Sequence, residues 1–544
     1  MGKSLLFVGS WIFLSSLYAI IFAKYPHNSD NAAYVLQALD ITKGNVFLNG
    51  WTLSRDNFFS LDTILYSIGI LLGLDPKKLM FIVPAVIYST LIISLIYLIS
   101  SLTGIRKSFI SVSAFLAFPL GMDLYFTSMG ADHNLTYVFI IITLFLMIKN
   151  ELSFIEKTSA IILLSMAEFG DPLTYLVGVI PIFLAALYCN YKDIDRTKNK
   201  TIIRIIFASV LLVQIAKLLV RSFGGFHSTG YGSSFADLDK ISHNIYLLIK
   251  GLIDIFNMNF FGNAILYLPT TIAFMHALFF CFFIFFLYLI IRKKISFIYY
   301  DSEIFVMYFS VLSTLLLTIS FILSSIPVDF FSCHYLIFTL INAAIIFAVT
   351  INRIGEYEQF HNFLKKSNII IERILAMILD SIGIDTKRLF QAKEFNFLNF
   401  CFLKKIAVIF VIVFAVNFFI DSFKDFHVFP YTEEKNVIHY IEKEKLTHGF
   451  SPYWNANILT VLSSGKIKSR AVLYDGNFIA PYHWLSKNTW YCFSNDPFFV
   501  IYAPNDFGIN EQTIFKTFGF PTKIKSIGPY RIYSYRSDIH PMCR

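Results

Sequence analysis

The chain has 544 residues, 56% of them hydrophobic and only 15% charged, with 61 Phe and a mean hydropathy of +0.63. A core of that length cannot hide so much apolar surface, which excludes an ordinary soluble protein and implies a polytopic membrane protein. The formal charge of +9 then belongs to cytoplasmic loops rather than to a nucleic-acid partner, and six Cys in no cluster give no zinc or iron–sulfur framework.

The first apolar run, Ser4 to Ala23 between Lys3 and Lys24, has the roughly 20 residues that a helix needs to cross about 30 Å of hydrocarbon. Its exit, "IIFAKYPH", lacks the small residues of a signal-peptide cleavage site, so it reads as a retained span. Further spans are expected near 79–101, 108–122, 134–148, 158–169, 173–189, 202–222, 264–291, 303–325, 334–351 and 401–421, about eleven in all. The fifth is the weakest, because Lys157 and Glu168 bracket a short apolar core. With the N-terminus inside, 22 Lys and Arg fall on inner segments and eight on outer loops before the tail, the asymmetry of the positive-inside rule. Residues 352–400 form a basic, Phe- and Ile-rich inner segment, expected to lie on the membrane as amphipathic helices.

An odd number of crossings places residues 422–544 outside the cytoplasmic membrane. There the pattern changes: "YTEEKNVIHYIEKEKL" reads as an amphipathic helix, "KSRAVLYD" and "PFFVIYA" as strands, "NEQTIFKTFG" as a helix ending at Gly519, and "YRIYSY" as a last strand. The expected fold is an all-α polytopic membrane domain over 1–421, with a first outer loop at 24–78, followed by a small extracytoplasmic α/β domain over 422–544. Cys492 and Cys543 both fall in that tail, where an oxidising compartment permits a disulfide.

Asp30, Asp56, Asp62, Asp123, Asp132, Asp171 and Asp329 sit in or beside outer loops, and acids at membrane depth point first to function. Capping competes at two of them: Ser29 or Asp30 stands where an N-cap belongs in "SDNAAYVLQAL", and Asp171 precedes a Pro at a first helical turn. Lys217 and Arg221, spaced i and i+4, share a helix face that suits a phosphate or, equally, snorkelling to the headgroups. His334 beside Asp329 in "PVDFFSCHYLIF" and His133 in "GADHNLTY" place an imidazole at a helix start, where it faces an anion or serves as a capping or packing residue.

In order along the chain, "NSDNAAYVLQALDITKGNVFLNGW", "GDPLTYLVGVIPIF", "HYLIF" and "HGFSPYWNANILTVLSSGKI" resemble segments of bacterial membrane glycosyltransferases of the GT-C superfamily, which take sugars from polyprenyl-phosphate carriers. The resemblance implies a multi-pass protein of the bacterial inner membrane that moves a sugar from such a donor to a hydroxyl of a glycan or lipid-linked acceptor, as in O-antigen or other surface polysaccharide synthesis. Asp30 matches the first-loop acid that serves as base, Asp56 is the competing acid, and Asp132 and Asp171 are further acceptor-side acids. Lys217, Arg221, His334 and Tyr335 are the donor-phosphate candidates, with His133 beside them and Trp51 as an anchor at headgroup depth. Members of the superfamily often carry Arg-Tyr where this chain has His334-Tyr335, so a phosphate contact there would depend on pH. The sequence specifies no cofactor, and whether a divalent metal assists Asp30 with Asp132 or Asp171 stays open.

Two rivals share this composition. A transporter or flippase of lipid-linked glycans also has many spans and intramembrane charges, but no inverted repeat is visible and the charges gather on one face. A glycan polymerase carries its large outer loop between spans, whereas here the large domain is terminal. Within that domain "YWNANILTVLSSG" suits either acceptor contact or a structural platform.

Overall fold

Long apolar runs satisfy their backbone as helices, and in a computed structural model these helices close on one another. The structure describes residues 2–25, 27–130, 132–229, 234–262, 268–291, 300–354, 400–424, 430–492, 497–503, 508–536 and 542. Helix α1 (Gly2–Phe22) lies on α4 (Pro76–Thr103). From α4 the packing runs to α7 (Asn134–Met147), α8 (Phe154–Gly170), α10 (Arg196–Ser222), α9 (Ile180–Tyr191), α13 (Asp301–Leu323), α14 (Phe338–Ile354) and α5 (Ile105–Phe115), which returns to α4. The ring therefore orders the helices differently from the chain.

Four described helical stretches are long and apolar enough to cross a bilayer: Pro76–Thr103, Arg196–Ser222, Asp301–Leu323 and Phe330–Asn352. Six further apolar helices are shorter, among them Phe7–Phe22 and Asn134–Met147, so eleven crossings are not all matched by helices of full length among the described residues. The span expected at 108–122 is interrupted. Helix α5 stops at Phe115, about 17 Å of rise and far short of the hydrocarbon core. Pro119 disfavours helical backbone at Phe118, Gly121 has φ +53°, and the chain restarts as α6 (Gly121–Ser128). The amphipathic segment expected at 352–400 lies almost wholly outside the described residues.

The terminal unit is an α/β layer after the apolar helix α15 (Phe400–Lys424). Its six-stranded sheet has the order β5-β4-β3-β7-β9-β8, with β3 (His448–Pro452) parallel to both β4 (Lys468–Tyr474) and β7 (Phe498–Tyr502). Strands β5 (Ile479–Pro481), β8 (Lys523–Ile527) and β9 (Tyr530–Tyr535) complete it in antiparallel pairs. Helices α16 (Thr432–Lys443), α17 (Tyr453–Leu462) and α18 (Glu511–Phe518) accompany the sheet. Gly519 ends α18 with φ +77°, the left-handed stop that Gly adopts without strain. Cys492 is disulfide-bonded, whereas Cys543 lies outside the described residues.

Three distant segments form a second, small sheet: β1 (Trp51–Leu53) of the first loop lies between β2 (His227–Ser228) and β6 (Ser486–Lys487) of the terminal unit. Trp51 is 1% exposed, so it is no headgroup anchor. Its Nε1 donates to Asp40 Oδ2 at 2.7 Å, the same carboxylate is paired with Lys487 Nζ at 3.0 Å, and its ring meets Trp490 edge-on at 4.8 Å. The indole thus fastens the first loop to the terminal unit. Trp51→Ala is expected to cost about 3–5 kcal/mol, seen as a lowered unfolding midpoint of the purified protein; an unchanged midpoint would mean that the latch carries no load.

Candidate active site

The first loop begins with helix α2 (Ser29–Thr42), whose cap is neither of the two residues expected. Asn28 Oδ1 accepts from the backbone N–H of Asp30 at 3.0 Å and of Asn31 at 3.2 Å, which satisfies the orphan donors of the first turn. The Asp30 carboxylate is thereby left for other partners. It accepts a hydrogen bond from the hydroxyl of Tyr453, the first residue of α17. One turn further on, Asn457 donates its backbone N–H to Ser29 Oγ at 3.3 Å. Burial pushes the Asp30 carboxyl up to about 6, with the Tyr453 hydroxyl opposing the rise and Asp132 adding to it. A carboxyl of that basicity is matched to proton transfer near neutral pH.

A second group forms where three chain reversals meet. Asp171 ends α8 and Asp132–His133 precede α7, while His334 and Tyr335 lie in a 3₁₀ turn, Phe330–Ile337, ahead of α14. His133 Nδ1 is 2.7 Å from Asp171 Oδ2, which also accepts from Thr136 Oγ1 at 2.7 Å, and both members of the pair are buried. The His334 ring stacks on His133 at 5.5 Å and packs on Tyr335 at 4.0 Å, and its Nε2 is 3.8 Å from Asp132 Oδ1. His133 has φ +63°, a left-handed backbone that costs a non-glycine residue about 1–3 kcal/mol and recurs at functional sites.

The first loop adds Asp56. Asn57 Nδ2 donates to the Phe169 carbonyl at 3.0 Å, Phe58 N–H to the Gly170 carbonyl at 2.9 Å, and Ser60 Oγ to the Met166 carbonyl at 2.6 Å. Gly170 permits this approach, since a Cβ there would lie 2.8 Å from Leu61 Cδ1. Burial and then Asp171 raise the Asp56 carboxyl, against the pull of His133, His334 and Arg55. Burial likewise raises Asp132, against His334 and His133. For His133 burial acts downward, but Asp171, Asp56 and Asp132 overcome it and push the imidazole up to about 9. The two groups are electrically joined, since Asp132 acts on Asp30 and both act on the hydroxyl of Tyr125.

Asp132, His133 and His334 each offer a ligand atom, all within 4.8 Å of one another. The fit extends outward: His133 Nδ1 faces Asp171 and His334 Nδ1 lies 2.6 Å from the Phe331 carbonyl. Each ring thus has Nδ1 engaged by an oxygen, the arrangement that orients Nε2 toward a metal. Two imidazoles and a carboxylate leave a fourth tetrahedral position open for substrate. Purified protein is expected to bind Zn2+ or Mn2+, and His334→Ala to weaken the affinity by about tenfold or more; equal metal content in both would remove this assignment.

Lys217 and Arg221 stand apart. Both are exposed on α10, which packs on α8 and α9, and Lys217 acts on Glu168 rather than on the acid–imidazole group. Neither has a hydrogen bond or ion pair with that group among the described residues, so the phosphate role expected of them has no support in the geometry. Asp329 caps the 3₁₀ turn through the Ser332 N–H at 3.3 Å, and Asp62 and Asp123 are buried in short helices. Sequence reasoning missed Tyr453 and Asn28. It also passed over Arg55, whose adjacency to Asp56 was the available signal.

Solved structures with this arrangement of helices and terminal sheet exist. Over 98% of this chain and 98% of theirs, two structures of ArnT from Cupriavidus metallidurans superpose on it: one bound to undecaprenyl phosphate, TM-score 0.54 at 10% identity, and one in the apo state, TM-score 0.52 at 9% identity. The chain has the ArnT fold. No family model and no curated protein matches the sequence, so the likeness lies in structure alone. The lipid that the first of these structures holds, undecaprenyl phosphate, is a polyprenyl phosphate.

Proposed function

We propose that the chain is a membrane glycosyltransferase that moves a sugar from a polyprenyl-phosphate carrier to a hydroxyl of a surface glycan or its lipid-linked precursor. The observation that carries this reading is the joining of a basic carboxyl, Asp30, to the Asp132–His133–His334 group within a fold that in ArnT holds undecaprenyl phosphate. A hydroxyl is a weak nucleophile. Asp30 takes its proton as the acceptor oxygen bonds to the anomeric carbon; the bond from that carbon to the phosphate oxygen breaks, and its electron pair leaves with the carrier phosphate. The leaving phosphate needs positive charge in place before the bond breaks. His133 supplies it, held in position by Asp171 and pushed up to about 9, and the His334 ring stacks on it. A divalent cation held by Asp132, His133 and His334 would require neutral imidazoles, and would then supply the positive charge in place of the imidazolium as a Lewis acid.

The proposed setting is the bacterial inner membrane, with about eleven crossings, a cytoplasmic N-terminus, a membrane domain over 1–421 and an extracytoplasmic domain over 422–544. O-antigen is the acceptor class favoured by the sequence resemblance. In proteoliposomes, labelled polyprenyl-phosphate sugar and acceptor are expected to yield glycosylated acceptor and free polyprenyl phosphate in equal amounts. Movement of intact donor across the bilayer without product would indicate a flippase and end this reading.

A further inference from the structure

Away from the acid–imidazole group, a cavity of about 540 Å³ opens between the first loop, the start of α4 and the terminal unit. Helices α2 and α17 run side by side in the same direction, with Asp30 and Tyr453 at their starts. Asp40 and Thr460, near their ends, line the cavity. Ten residues of helix separate Asp30 from Asp40, about 15 Å, so the cavity is a separate place on the molecule.

Arg470, on β4, forms part of its wall. The residue is 7% exposed, and its Nε and Nη1 are buried without a hydrogen-bond partner among the described residues. Its guanidinium lies over the Trp490 ring at 4.1 Å, a contact that positions the group but accepts none of its N–H bonds in their plane. The carboxylate lining the cavity is not its partner, since Asp40 is taken by Trp51, Asn45 and Lys487. Burial pulls the guanidinium down only to about 10, so it remains charged at neutral pH. Among the described residues this buried charge has no counter-ion, an arrangement that is costly until something pairs it. Lys43 and Lys468, both exposed at the rim, add positive potential rather than relief.

We propose that this cavity is an oxyanion-binding site, in which Arg470 receives a phosphate or carboxylate in two charge-assisted hydrogen bonds and Lys43 and Lys468 draw it in. Two sources carry that chemistry. An acidic saccharide would enter from the aqueous side of the terminal unit, and a lipid headgroup would enter beside Pro76, where α4 begins. Binding here requires no donor and no turnover, so it stands or falls independently of the transferase reading.

The test uses the full-length protein in nanodiscs of neutral lipid, titrated with inorganic phosphate, glucuronate and, as a control, glucose, with heat of binding and unfolding midpoint as readouts. A second preparation contains phosphatidylglycerol. Phosphate or glucuronate is expected to bind and raise the midpoint while glucose does neither, and Arg470→Met to weaken binding by roughly tenfold to a hundredfold. Should Arg470→Met fail to fold, the rim variant Lys43→Ala/Lys468→Ala, which changes only exposed residues, is expected to weaken binding in the same direction. A response to soluble anions supports the saccharide source, and one confined to phosphatidylglycerol discs supports the headgroup. No response to any anion, or a response equal in wild type and both variants, overturns the proposal.

Discussion

Asp30→Asn is expected to lower sugar transfer by about 10²–10⁴-fold while the protein accumulates in the membrane and unfolds at a temperature close to that of wild type. The amide keeps the size of the carboxyl and can still accept from the Tyr453 hydroxyl, but it cannot take a proton from an attacking hydroxyl. The packing of α2 on α17 survives, because it rests on Ser29 and Asn457 as well. Steady-state transfer by purified protein decides the matter, and turnover within a few fold of wild type would remove Asp30 from the chemistry.

Asp171→Ala is expected to be the most damaging change to stability near the site. It strips His133 of its partner in a pair that is fully buried and leaves Thr136 Oγ1 without its acceptor. Breaking a buried pair from one side costs about 3–5 kcal/mol, because the remaining charge keeps its desolvation penalty. The same pair gives a pH dependence with a definite sign. The His133 imidazole, pushed up to about 9 in the fold from about 6.5 in the unfolded chain, binds its proton more tightly when folded. Its contribution is therefore complete below about 6.5 and is lost as pH rises through about 9. Unfolding midpoints measured from pH 6 to 10 should fall across that window in wild type and be flatter in Asp171→Ala; parallel profiles would contradict the coupling.

The site was partly legible in the sequence because its members share a physical oddity. Asp132, His133, Asp171 and His334 are polar groups next to long apolar helices on the same expected face, and such groups persist only where something uses or pairs them. What could not be read was which of them meet, because the reversals that carry them are separated by whole helices. Tyr453 reaches Asp30 across 423 residues, and no local pattern announces such a contact. Trp51 illustrates the opposite error: an aromatic after a membrane exit fits an interfacial belt, but a strand pairing with Lys487 buries it. Lys217 and Arg221 share a helix face as their spacing requires, yet that face is exposed rather than turned to the site. Periodicity places residues on a face and leaves open what the face meets. The terminal strands were legible because their alternation and flanking turns are local, whereas the third apolar run is continuous in hydrophobicity although Pro119 and Gly121 break its helix.

The rate of transfer as a function of pH, measured for wild type and Tyr453→Phe, tests the role of Asp30 most directly. With Asp30 as the base, the wild-type rate should rise with pH through an acid limb near 6 and then level off until His133 loses its proton near 9. Loss of the Tyr453 hydrogen bond, which holds the carboxyl down, should move that limb to higher pH. A limb that stays in place in Tyr453→Phe, or a rate that is flat from pH 5 to 8 in both proteins, would contradict proton transfer to Asp30.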